Sequence, residues 1–173
     1  MRTRSGLHRR LPTVAHALSL VICTRNRAHR LDRTLAAVGS IETSHPWEVV
    51  VVDNASTDET SQVVERAQET SMVQMNLIHE LEAGVSRARN AGWRSASGEI
   101  VAYVDDDCYP APDFVDRVVE CFEGDPLLGY LGGAVLPFDE NAARVTIVAE
   151  TRPFEIRAGD LTKLRGGSAR RPG

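Results

Sequence analysis

At 173 residues, 42% hydrophobic and 25% charged, the chain is long enough for one domain with a sizeable core and too short for two ordinary ones. A formal net charge of −4 gives no reason to expect a nucleic-acid partner, and no stretch reaches the roughly twenty apolar residues of a spanning helix. Cys23, Cys108 and Cys121 are odd in number and lack metal-ligand spacing, which speaks against a disulfide framework or a zinc site and for a reducing cytoplasm.

In chain order, residues 1–16 read as a basic tail carrying Arg2, Arg4, Arg9 and Arg10. Arg9 and Arg10 before the mostly apolar stretch from Leu11 to Cys23 imitate a signal peptide, but Pro12, Thr13, His16 and Ser19 interrupt it and no small-residue cleavage site follows. The run from Ala17 to Cys23 is therefore read as a buried first strand. Leu31, Leu35 and Val38 recur at i, i+4 and i+7, one face of a helix between Arg27 and Ile41. Glu48 to Val52 is a continuous β-branched run, suited to a strand covered on both faces. Thr57 and Asp58 offer an N-cap for a helix carrying Val63, Val64 and Ala67. Val73, Met75 and Leu77 alternate with Gln74 and Asn76, a third strand. Val85 to Ala96 reads as a helix closed by Gly98, and Ile100 to Val104 as a fourth strand. Pro112 opens a helix with Phe114, Val115, Val118, Val119 and Phe122 as its stripe. Gly129 to Leu136 offers a further strand. From about Asn141 the pattern weakens, and Arg165 to Gly173 has no residues to pack.

Four or five strands alternating with helices predict an α/β fold with a mostly parallel sheet. In such sheets ligands bind outside the carboxyl ends of the strands. That rule singles out Thr24-Arg25-Asn26-Arg27 after the first strand, Asp53-Asn54-Ala55-Ser56 after the second, and Asp105-Asp106-Asp107 after the fourth. Three adjacent carboxylates in a partly dry cleft repel and raise one another's pKa, a cost that Mg²⁺ or Mn²⁺ removes; an acidic turn facing water is the alternative. Asp53 is placed to accept hydrogen bonds from a base or ribose. Asn54, Ser56, Thr57 and Asp58 suit a local turn and cap equally well. Arg25 and Arg27 fit either a nucleotide pocket or a solvated helix start. Arg89, in a helix opening at Gly84, suits a phosphate partner, an anchor for the carboxylates, or a surface ion pair. Gly129, Gly132 and Gly133 lack dinucleotide-fingerprint spacing, no Walker-type loop occurs, and Cys108 has no histidine near it in sequence to make it a nucleophile.

The segments SLVICTRNRAHRLDRTLAAV, EVVVVDNASTDET and GVSRARNAGWRSASGEIVAYVDDDCYPAPDFV, in this order and spacing, resemble the family 2 glycosyltransferases of GT-A fold from about Ser19 to Leu136. The resemblance implies a three-layer sandwich with a nucleotide-sugar-binding domain over residues 17–136. It implies inverting transfer of a sugar from a nucleotide-diphosphate donor to an acceptor hydroxyl (of a glycan, lipid or small molecule), with Mn²⁺ or Mg²⁺ as cofactor. It places Thr24 to Arg27 beside the nucleoside, Asp53 on the base and Arg89 near the diphosphate. Asp105-Asp106-Asp107 takes the place of the DxD motif, with Asp105 on ribose or, indirectly, on the metal and Asp107 the direct metal ligand bridging to diphosphate. The family's general base belongs to a later acidic motif without a match here; Glu150 and Glu155 are the acidic residues on offer. The expectation is that residues 137–173 are an incomplete acceptor-side segment, that the chain lacks its C-terminal acceptor half, and that it works in the cytoplasm, as a truncated or partner-dependent enzyme or as a binding module, peripheral to the membrane at most.

Overall fold

Two runs of β-branched and aliphatic residues, Leu18–Thr24 (β1) and Trp47–Asn54 (β2), form the centre of the sheet and are buried almost throughout. The computed structural model describes residues 16–136 and the backbone of Phe154–Arg157. Between and after these strands come α1 (Ala28–Val38), α2 (Thr60–Thr70), β3 (Gln74–Glu80), α3 (Val85–Ser95), β4 (Ile100–Asp105), α4 (Phe114–Gly124), β5 (Leu128–Gly132) and β6 (Phe154–Arg157). The chain divides into one unit ending at Val119 and another beginning at Glu120.

In the first unit four strands lie in the order β3-β2-β1-β4, all parallel. Successive side chains of a strand point to opposite faces, so the two faces bury different residues. Leu18, Leu20, Ile22, Val49 and Val51 meet Leu31, Leu35 and Val38 of α1, Val63 and Val64 of α2, and Val115 and Val119 of α4. Val21, Val50 and Val52 meet Ala88 of α3 on the other face. The result is the helix–sheet–helix sandwich expected.

Close approach of α3 to the sheet requires a glycine. A Cβ on Gly92 would lie 2.4 Å from a methyl of Val21 and 3.3 Å from one of Val52. At the opposite ends of the strands, Glu48 is 1% exposed, yet its carboxylate is fully engaged. Oε1 accepts from the Ser19 hydroxyl, the Ser97 amide and the Ser97 hydroxyl, each at 2.7 Å, and Oε2 accepts from Asn76 at 2.9 Å. Burial raises its pKa, but these bonds and nearby His16 outweigh it and leave the group below its ordinary value.

In the second unit, β5 and β6 pair antiparallel as a separate two-stranded sheet. The strand expected at Gly129 to Leu136 is thus shorter, begins one residue earlier and does not join the parallel sheet. The helix ends fall within a few residues of their predicted limits, and the third strand runs on to Glu80 because Ile78, His79 and Glu80 continue the pairing with β2. Apart from His16, the expected tail of residues 1–16 lies outside the described residues, as does the segment 137–173 apart from β6. No described helix is long and apolar enough to cross a membrane.

Candidate functional site

The strand order fixes where a ligand fits. From β1 the chain steps outward to β2 and β3, then returns to place β4 on the other side of β1, so the connections diverge above β1 and β4. Thr24 ends β1 directly opposite Asp53 of β2, while Cys23 lies opposite Asp105 of β4. The three polar clusters therefore sit side by side at one edge of the sheet.

Two of their loops are stitched together. Asn26 and Ala55 both adopt left-handed backbone, with φ of 53° and 56°. The Asn26 amide donates to the Ser56 hydroxyl at 2.9 Å, and the Asn26 side-chain oxygen accepts from the Thr57 amide at 2.7 Å. Arg27, at the N-cap of α1, makes no side-chain capping bond. Asp58 supplies the cap from the neighbouring loop: one oxygen accepts from Ala28 N at 3.1 Å, the other from Thr60 N at 3.1 Å. One carboxylate thus serves the first turns of both α1 and α2, two residues before the helix it was expected to cap. Its pKa is lowered chiefly by the Thr60 hydroxyl, against a smaller opposing effect of burial, with the Ala28 amide adding to the lowering.

Asp53 and Asn54 are buried and committed to their own turns. The Asp53 carboxylate accepts from Ser56 N at 3.0 Å and the Ser61 hydroxyl at 2.8 Å, with His79 Nδ1 at 3.7 Å. Asn54 reaches the next loop: its amide donates to Glu82 O at 2.8 Å and its oxygen accepts from Gly84 N at 2.7 Å. It thereby holds the start of α3, the helix that carries Arg89.

The Asp triplet splits by direction. Asp106 turns inward and is 5% exposed. Its two oxygens accept from the Thr24 hydroxyl at 2.7 Å and from Arg27 at 2.9 Å, and its main-chain oxygen accepts from the Thr34 hydroxyl at 2.9 Å. Asp107 is partly exposed and paired with Arg30 at 2.8 Å and Arg27 at 3.4 Å. Asp105 is exposed and makes no side-chain hydrogen bond or ion pair among the described residues.

Arg25 and Arg89 are exposed, and among the described residues neither guanidinium has a hydrogen-bond or ion-pair partner. Arg89 nevertheless belongs to this edge: its main-chain oxygen accepts from the Tyr103 hydroxyl of β4 at 3.0 Å, and its charge lowers the pKa of Cys23, which Asp105 and Asp106 raise. Burial is the largest influence on that thiol and carries it to about 11. Cys108 is likewise raised, by burial first and then by Asp105 and Asp107, so neither cysteine is a thiolate nucleophile.

Of the residues singled out by the sequence, Thr24, Arg27, Asp106 and Asp107 form one bonded network, Asn26 and Ser56 another, and Arg25, Arg89 and Asp105 remain open. Arg30, Thr34 and Ser61 were missed. Arg27, Arg30 and Thr34 lie at i, i+3 and i+7 on α1, a polar stripe readable in the sequence but overshadowed by the apolar one. A hollow of about 430 Å³ opens beside this network, lined by Asn26, Arg27, Arg30, Asp58 and Glu59. A larger one, about 860 Å³, lies at the far end of the sheet beside Trp47 and Met75 and contains none of these groups. Among the described residues no three His, Cys, Asp or Glu side chains converge on a metal-holding point.

The profile of Glycosyl transferase family 2 matches residues 19–165. Validoxylamine A glucosyltransferase of Streptomyces hygroscopicus subsp. jinggangensis is 37% identical over 108 residues, 62% of this chain and 26% of that protein. Glucosyl-dolichyl phosphate glucuronosyltransferase of Haloferax volcanii is 29% identical over 122 residues, 69% of this chain and 38% of that protein. Among solved structures, the mannosyltransferase PcManGT of Pyrobaculum calidifontis, in complex with GDP-Man and Mn²⁺, superposes with a TM-score of 0.62 at 33% identity, over 71% of this chain and 36% of that one. TarS of S. aureus in complex with UDP-GlcNAc gives 0.57 at 25% identity, over 62% of this chain and 31% of that one. The chain thus spans between about a quarter and two-fifths of these proteins' own length.

Proposed function

Starting from the fact that this chain belongs to glycosyl transferase family 2 and has the α/β architecture of its GT-A neighbours, we propose that it binds the donor of an inverting, metal-dependent sugar transfer. The donor is a nucleotide-diphosphate sugar, the class held by PcManGT and TarS in the structures above. One observation carries this reading for the chain itself. An open carboxylate, Asp105, opposite Cys23 at the end of β4, and an open guanidinium, Arg89, on the helix whose main chain meets Tyr103 of the same strand, lie where the strand order reverses, an arrangement that suits a metal-bound diphosphate.

The donor set fits a hard divalent ion. Mg²⁺-type ions take one or two protein carboxylates and complete their shell with phosphate and water. Asp105 and Asp107 would hold the ion, which would offset the charge developing on the departing diphosphate. Around it the chain's own groups divide the work. Arg89 pairs with the diphosphate. The loop from Thr24 to Arg27 borders the nucleoside, with Arg25 as its free cation and Asn26 and Ser56 fixing its path. Asp53 and Asn54, buried and already bonded, shape the base pocket through the turns they hold. We assign the base that deprotonates the acceptor to none of the described residues; Glu150 lies outside them, and of Glu155 only the backbone in β6 is described. The three cysteines are free, which suits a reducing compartment and a reaction on the cytoplasmic side.

A ligand that binds only the folded chain raises its melting temperature, by about 2.7 kcal/mol of stability at a hundredfold excess over Kd. Melting the chain with UDP, GDP, dTDP and CDP, with Mn²⁺ or with chelator, is expected to show a metal-dependent rise for one of them. Asp105→Asn should abolish that rise. A flat response to all four would sink the proposal. The alternative, a donor-binding module that transfers nothing, would be excluded by sugar release from the matching donor.

A further inference from the structure

The middle residue of the Asp triplet is distinct from its neighbours. Asp105 and Asp107 reach solvent, whereas Asp106 is 5% exposed and both of its carboxylate oxygens are taken by protein donors. Those donors are the Thr24 hydroxyl at the end of β1 and Arg27 at the start of α1, and Thr34, two turns along α1, holds the Asp106 carbonyl. A single residue thus fastens the β4 turn to a strand end and a helix. Arg27 continues to Asp107 at 3.4 Å, so the latch also touches one of the two solvent-facing carboxylates.

We infer that Asp106 is a positioning residue: through Thr24 and Arg27 it sets the direction in which Asp105 and Asp107 present their carboxylates to a divalent ion. This rests on the donor-site reading above. The physical reason is reach. The triplet stands at the C-terminal end of β4, where pairing with β1 stops at Cys23 and Asp105. Beyond that point no ladder bond holds the turn; the described bonds that do are Cys108 N to Asp105 O at 3.1 Å, the three made by Asp106, and those of Arg30 and Arg27 to the Asp107 carboxylate at 2.8 and 3.4 Å, of which only the Asp106 set reaches the buried end of β1. Groups that orient metal ligands without touching the metal commonly change affinity by ten- to a hundredfold, so a loss of about tenfold is expected here.

The test is a Mn²⁺ titration of the full chain followed by electron paramagnetic resonance, with Mn²⁺ alone and with UDP or GDP. Thr24→Val removes the hydroxyl at nearly constant shape, and Thr24→Ser keeps it. Thr24→Val should weaken Mn²⁺ binding about tenfold and broaden the bound-ion spectrum, while Thr24→Ser binds as wild type does. Asp106→Ala should weaken binding at least as much, and adding Thr24→Val to it should cost little more, because the acceptor for the Thr24 hydroxyl is already gone. If Asp106→Ala does not fold, the Thr24 pair still decides. Folded Thr24→Val that binds Mn²⁺ with wild-type affinity and line shape overturns the latch while leaving the donor site standing. A wild-type chain that binds no Mn²⁺ under any of these conditions overturns the donor site and, with it, the latch.

Discussion

At the scale of single residues, Glu48 shows how a charge is kept inside a sheet. Four donor groups surround a carboxylate that water barely reaches, and removing the negative charge leaves them competing for fewer lone pairs. Glu48→Gln is therefore expected to cost about 2 kcal/mol at neutral pH, measured by urea unfolding. The pH dependence has a definite sign. The folded-state pKa lies below the ordinary value of 4.5, so this contribution is complete above that value and is lost as pH falls through the folded pKa. The gap between wild type and Glu48→Gln should accordingly narrow on acidification below about pH 4.5, and a gap constant with pH would contradict this account. Little of this is legible in the sequence. Glu48 reads there only as the first letter of a β-branched run, and Ser19, Asn76 and Ser97 lie 29, 28 and 49 positions away. The same distance hid the inward turn of Asp106, whose partners Thr24 and Arg27 are 82 and 79 positions earlier.

At the scale of elements, the period of the apolar residues was a sound guide. Leu31, Leu35 and Val38 are the buried face of α1, and Val115 and Val119 that of α4. Strand β6 was overlooked although Phe154-Glu155-Ile156-Arg157 alternates apolar and charged, because four residues are too few to stand out. α3 was recognised over Val85 to Ala96 with its closing glycine, but its small buried face was not: Ala88 and Gly92 are its buried residues. That face makes a measurable claim. Gly92→Ala places a methyl against Val21 and Val52 and must lift α3 from the sheet, a cost of about 1–3 kcal/mol in thermal or chemical unfolding. Gly→Ala inside a helix otherwise stabilises by roughly 0.5–1 kcal/mol, so unchanged or increased stability would show that the helix is less tightly seated.

At the scale of the whole molecule, the parallel sheet and its alternating helices were legible, but the strand order was not. Periodicity says where strands are, and only pairing says that β4 lies beside β1 rather than beyond β3. That order concentrates the polar clusters at one edge. Among the described residues it also leaves β4 as an outer strand of the sheet, with Tyr103 exposed on it and Trp93 exposed on α3. Exposed aromatic groups on an outer strand and its neighbouring helix favour association of copies. The purified chain is expected to sediment as larger species with rising concentration, and Tyr103→Lys should reduce that tendency. Concentration-independent sedimentation of a monomer would refute the expectation.

The shared cap at Asp58 has a further implication for any exchange of the loops that follow β1 and β2. Transplanting a β2–α2 loop without an aspartate at position 58 would remove the group that closes the first turn of α1, and transplanting a β1–α1 loop without an asparagine at position 26 would leave the Thr57 amide without its acceptor. The two loops are joined by Asn26, Ser56, Thr57 and Asp58, so replacing either one alone is expected to destabilise the other, and replacing both together is expected to be tolerated better.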